Sequence, residues 1–272
     1  MDRMLELFQQ ENQPVKRYWL LMKVAPLERL QQMQKGLLYM NSIDYFSELK
    51  GEDGVKVRSD ELESTYVQFQ TGVVHNNHRI EIALNHPSFS EVNIPKGTEV
   101  SLGVPSPKNT FIFCMSCIGE DKQGNIRHLK DDKYHMDRRM KKFGSHTLLI
   151  NKPAKFFQRY SDAINRADFF VNDYMDGGCG IVDYKKMSKH KGKIGLFVKD
   201  KHYDWQREYR FVLGAKDSLL NASGALELNI GDISDISSII ETKRLIEEPI
   251  TVTRGIASLK ADGKYHWRKL DV

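Results

Sequence analysis

The chain has 272 residues, with 41 basic and 36 acidic side chains for a formal net charge of +5, and is 40% hydrophobic and 10% aromatic. That composition is ordinary for a globular protein with a sizeable core, and the charge permits an anionic partner without the lopsidedness of a dedicated nucleic-acid binder. No apolar run approaches the roughly 18 residues of a membrane span, and MDRMLELFQQENQ lacks the apolar centre of a signal peptide, so no membrane association and a cytoplasmic location are expected.

The elements run as follows. Met4, Leu5, Leu7 and Phe8 stand at helical spacing, which predicts a peripheral helix over residues 1–14. RYWLLMKV (17–24) is dense enough in apolar residues for a buried strand. Pro26 then opens a helix that places Leu27, Leu30 and Met33 on one face and stops at Gly36. LLYMNSIDYF reads as a second strand and a turn, and the charged run from Gly51 to Thr65 as loop or short helix. YVQFQTGVV and HRIEIAL predict a hairpin turning at Asn76 and Asn77. GTEVSLGVP is a further extended segment, and TFIFCMSCI is a strongly apolar strand.

YHMDRRMKKFG reads as a helix ending at Gly144, HTLLI as a strand, and PAKFFQRYSDAINRA as a helix with Pro153 in its first turn. Beyond Phe169 the chain is mostly strands: CGIVDY, KIGLFV, REYRFVL, ALELNI, SSIIE and a short ITVTRG. No repeat, low-complexity segment or Gly/Pro-rich linker divides it. The expectation is a single α+β domain over 1–272, with a mixed or antiparallel central sheet and a few peripheral helices.

Familiar chemical motifs are absent. There is no phosphate-binding G-x-x-x-x-G-K-[ST] loop, no G-x-G-x-x-G after a strand, no H-E-x-x-H and no G-x-S-x-G. DGGCG (176–180) leads into a strand, so it reads as a tight turn. Cys114 and Cys117 have the spacing of a zinc or redox pair but lie inside an apolar strand. With Cys179 they are expected to be reduced thiols. Lys185, Lys186, Lys189, Lys191 and Lys193 crowd one loop. It is either a solvated connection or a phosphate-contacting loop that would favour nucleic acid. Asp60 and Glu63, with Glu48, Glu52 and Asp53 and together with Glu208, form an acidic group. Such a group could hold a divalent metal for a nuclease, or simply be a solvated loop.

The strand REYRFVL carries the sharpest signal. Glu208, Arg210 and Val212 alternate with Tyr209, Phe211 and Leu213, so a carboxylate and a guanidinium lie on one side of the sheet, roughly 7 Å apart. Either they join a surface lattice of ion pairs, or Glu208 points into a cleft with Arg210 orienting it and Trp205 as a flat wall.

The order of LMKVAPLERL, YFSELKGEDG, RSDELES, FIFCMS and DWQREYRFVL resembles a bacterial family known as a domain of unknown function, whose most specific feature is a late Q-x-E-x-R strand. That layout is in turn similar to the ADP-ribosyltransferase superfamily. The resemblance implies an ADP-ribosyltransferase-like fold, NAD as substrate, Glu208 as the catalytic carboxylate, and Lys23, Ser116, Trp205 and Arg210 as substrate-binding residues. Lys23 stands where the superfamily has His or Arg, and Val24 where it has an aromatic. A binding module for a nucleotide or a protein, without catalysis, is the remaining alternative.

Overall fold

The structure, a computed structural model, describes residues 18–48, 64–75, 78–79, 81–120, 125–166, 169, 178–188, 190–253, 255–259 and 265–269. The expected N-terminal helix, Asp60, Glu63, Lys189 and the Asn76–Asn77 turn lie outside the described residues. The architecture is α+β, built on one large antiparallel sheet, as the pattern of strands predicted.

The sheet uses β1 (Tyr18–Ala25), β2 (Leu37–Ser42), β3 (Thr110–Gly119), β4 (His146–Ile150), β5 (Gly178–Ile181), β6 (Glu208–Gly214), β7 (Leu226–Asn229) and β8 (Ser237–Glu241). Their order is β5-β6-β3-β1-β4-β8, with β2 joining β3 to β7. The long apolar runs become the central strands β1, β3 and β6, because such runs satisfy both faces of a covered sheet. All seven residues of β6 are buried.

One face is covered by α1 (Leu27–Gln34) and α3 (Pro153–Ile164), while the short helix α2 (Ile43–Glu48) packs on the other through Ile43. Leu30 and Met33 of α1 and Phe156, Tyr160 and Ala163 of α3 meet Leu21, Phe113, Tyr209 and Phe211 in the largest core cluster. Phe211 lies 4.8 Å from Tyr160 and 5.7 Å from Phe156, ring centre to ring centre. These are contacts of the tilted and edge-on kind that aromatic quadrupoles favour.

The other face holds two smaller apolar clusters. Met22, Ile118, Trp205, Met140 and Leu245 make one, the last from α4 (Thr242–Glu247). Ile43, Val104, Ile112, Leu196 and Val212 make the second. Along β3 the alternate residues Ile112, Cys114, Ser116 and Ile118 pass from the second cluster to the first. Cys114 and Ser116 pair in register with Arg210 and Glu208. A polar seam therefore separates the two clusters.

Some local expectations are corrected. YHMDRRMKKFG is a single 3-10 turn, Arg138–Lys142, whose start is capped by the Asp137 side chain accepting from Arg139 N at 2.8 Å. The segment after LLYMNS is the short helix α2 rather than a turn. Val74–His75 pairs with His78–Arg79 as the hairpin pattern implied, but Ala83–His86 forms its own hairpin with Phe89–Asn93. KIGLFV is strand only at its ends: Gly192–Lys193 joins a small sheet with Thr65–Gln70, and Val198–Asp200 runs parallel to Asp183–Lys185.

Candidate functional site

The sheet splits along one edge of β3. At its start, Phe111 and Ile112 pair with Ser42 and Asn41 of β2; at its end, Ser116 to Gly119 pair with β1. Among the described residues, 113–115 have no strand partner on that edge, so β1 and β2 part there. A cavity of about 220 Å³ occupies the gap. β1, α1 and β2 contribute Met22 to Ala25, Arg29, Tyr39 and Asn41 to its lining, and Ser116, Lys199, Gln206 and Glu208 also line it.

A parted sheet exposes backbone groups, and each needs a partner. Lys23 supplies one. Its Nζ donates to the Cys114 carbonyl at 2.7 Å and lies 4.3 Å from the centre of the Phe113 ring. Register places Lys23 opposite Leu148 on the helix-covered face, whereas Met22, Ser116 and Glu208 align on the other. Lys23 and Glu208 thus reach the same cavity from opposite faces of the sheet.

Glu208 sits in the polar seam, 3% exposed. One carboxylate oxygen accepts from Arg210 Nε at 2.5 Å and the other from Lys199 Nζ at 3.1 Å. Burial by itself would push this carboxyl up. Arg210 and Lys199 outweigh it, joined by a hydrogen bond from the Cys114 thiol, and hold the group well below the usual carboxylate range. Glu208 is therefore ionised. The thiol remains a donor because burial keeps it protonated. Lys199 also donates to Gln206 Oε1 at 3.1 Å, and Ser116 Oγ donates to the Gln206 carbonyl at 2.7 Å. The Glu208 backbone N–H donates to the Tyr184 hydroxyl at 2.9 Å. Every member of the seam has a partner, the condition under which a buried polar network is stable rather than costly.

The residues anticipated from sequence divide between cleft and core. Glu208, Lys23 and Ser116 line the cavity. Arg210 does not: it is 1% exposed, donates from Nη1 to the Leu196 carbonyl at 2.8 Å, and acts on the cavity only through Glu208. Trp205 stands behind the wall, 5.9 Å from Phe143 and with Arg139 stacked 4.5 Å from its ring centre. It offers no open face to the cavity that Phe143 lines. In the basic loop, Lys191 is paired with Glu99 at 2.7 Å and Lys193 lies over Tyr66, while Lys185 and Lys186 are exposed. Among the described residues no three His, Cys, Asp or Glu side chains gather to hold a metal.

Five polar cavity residues were not anticipated: Arg29, Tyr39, Asn41, Lys199 and Gln206. The signal for two of them was present. In LLYMN the buried Leu38 and Met40 alternate with Leu37, Tyr39 and Asn41, and the second set faces the cavity. Arg29 is exposed at its mouth. No family model, curated protein or solved structure matches the chain, so the site is read from geometry.

Proposed function

We propose that the chain is an NAD-directed enzyme, an ADP-ribosyltransferase or NAD glycohydrolase in type, acting in the cleft between β1 and β2. The observation that supports this is an ionised, oriented carboxylate, Glu208, on the wall of an open cavity. A carboxylate has about four acceptor sites, and Arg210 and Lys199 occupy only part of that capacity. A ribose hydroxyl takes another. As the ribosyl–nicotinamide C–N bond breaks, nicotinamide leaves with the bonding pair and the ribosyl carbon gains oxocarbenium character. Glu208 binds that charge more strongly than the ground state, which is what accelerates a reaction. Water or an acceptor nucleophile then adds to the ribosyl carbon and loses a proton. In this reading Arg29 holds the pyrophosphate at the mouth, in place of Lys23, which is engaged on the Cys114 carbonyl, and the Tyr39 ring stacks the nicotinamide.

The test uses Glu208→Asp, which keeps the charge for Arg210 and Lys199 but draws the carboxylate back by one methylene. NAD should raise the melting temperature of both proteins. Free nicotinamide should form with the parent and fall at least about a hundredfold with Glu208→Asp, the scale of losing one transition-state contact. The engagement of both Glu208 oxygens favours a second reading, a nucleotide-binding module without catalysis. Stabilisation by NAD with no nicotinamide released would establish that one, and absence of both effects would remove NAD from consideration.

A further inference from the structure

A second cavity, of about 240 Å³, lies beside the start of β6. Arg127, His128, Lys201 and Arg207 line it, contributed by two separate stretches of chain. We propose that it is a binding site for a phosphate group, either inorganic phosphate or a phosphomonoester. This goes beyond the reading of the cleft and does not depend on it.

Three observations lead there. First, the cations are left with unspent donors. Arg127 is half-buried, and its guanidinium has no hydrogen-bond or ion-pair partner among the described residues. Arg207 donates to the His135 carbonyl at 3.2 Å and to the Tyr134 hydroxyl, with the Tyr134 ring centre 4.4 Å away, which leaves part of its five-donor fork unused. Second, the local acids offset the cations only in part. Asp183 and Asp204 also line the cavity, but neither side chain forms an ion pair or hydrogen bond among the described residues. Third, His128 and Arg207 both hold left-handed backbone, with φ of 65° and 48°. Side chains rarely adopt that region, and when they do the strain tends to collect at binding sites.

The field inside the cavity has the sign an anion needs. His128 has its pKa lowered, first by burial and then by Arg207 and Arg127, with Asp204 opposing. A dianion seated between the guanidiniums relieves their mutual repulsion and reverses that effect on the imidazole. Tyr184 adds a neutral donor: its hydroxyl accepts from the Glu208 N–H, which leaves its own proton to give. Two guanidiniums, an ammonium and a hydroxyl form a donor set suited to a tetrahedral anion.

The full chain is titrated with inorganic phosphate and, in a second arm, with a nucleoside monophosphate, both at fixed ionic strength against a chloride control. His128 ring signals are followed by NMR and assigned with His128→Gln. Saturable movement of those signals, with the imidazole pKa rising on binding, is expected. Arg127→Gln should weaken binding about tenfold without lowering the phosphate-free melting temperature. Lys201→Gln, at an exposed position, should weaken it by a smaller factor. Equal affinity in the two arms points to free phosphate, and tighter binding of the monophosphate to a phosphomonoester; each supports the site. A response that is linear and matched by chloride, or an affinity unchanged in both variants, overturns it.

Discussion

At the scale of single residues, Glu208 shows how a charge is kept in a covered sheet. Taking a carboxylate out of water is costly, and Arg210 and Lys199 offset that cost only while all three are present. Glu208→Gln leaves two buried cations under-compensated and should lower stability by about 3–5 kcal/mol in denaturant titrations at pH 7. The pH dependence has a definite sign. The folded-state pKa is depressed, so the native chain binds fewer protons than the unfolded one at mildly acidic pH. The stabilisation is complete above the ordinary glutamate value of about 4.3 and drains as pH falls below it. Stability of Glu208→Gln should therefore fall less steeply with acid below about pH 4.3 than that of the parent. The pairing of Glu208 with Arg210 was legible in E-Y-R, because alternation fixes which side chains share a face. Lys199 was not. It comes from a three-residue strand that carries no period of its own, and only tertiary packing brings it to the carboxylate.

At the scale of elements, the cleft exists because β3 is longer than either partner on its free edge. Its ten residues, mostly apolar, were plain in the sequence. Which strands share that edge was not, because pairing between segments some ninety residues apart leaves no local mark. The opening is held by contacts that tolerate little change. Gly144 sits where a Cβ would lie 2.1 Å from the carbonyl carbon of Ala25, at the end of β1 and on the cavity wall. That approach sets the position of β1 against the 3-10 turn Arg138–Lys142. The helix its periodicity suggests is cut short at the other end, where Lys133 and Tyr134 pair as a strand with Leu129–Lys130 and Ile250–Thr251. Gly144→Ala must push β1 aside. The expected cost is about 1–3 kcal/mol by thermal denaturation, the usual scale of overpacking. Ligand affinity at the cleft should weaken with it, because Ala25 moves with the strand.

At the scale of the whole molecule, the three cysteines report on how far the sheet protects its interior. The sequence placed them as reduced thiols from their odd number and their apolar setting, and all three are free in the structure. Their positions in the sheet then separate them. Cys114 and Cys117 lie in β3, near the middle of the strand order, and Cys179 lies in β5 at its edge. Burial pushes the Cys117 thiol up to about 12 and the Cys179 thiol up to about 11, and raises Cys114 as well. At pH 8 the reactive thiolate is then at most about a thousandth of each native population, so labelling proceeds through opening of the structure. An edge strand opens at lower free energy than a central one. A disulfide reagent added to the native chain should therefore modify Cys179 first, at a rate that responds weakly to denaturant. Cys114 and Cys117 should follow together, with the full denaturant dependence of global unfolding. Mass spectrometry of quenched time points resolves the order. Labelling of Cys114 ahead of Cys179 would mean that the split in the sheet, rather than its edge, is where the molecule opens first.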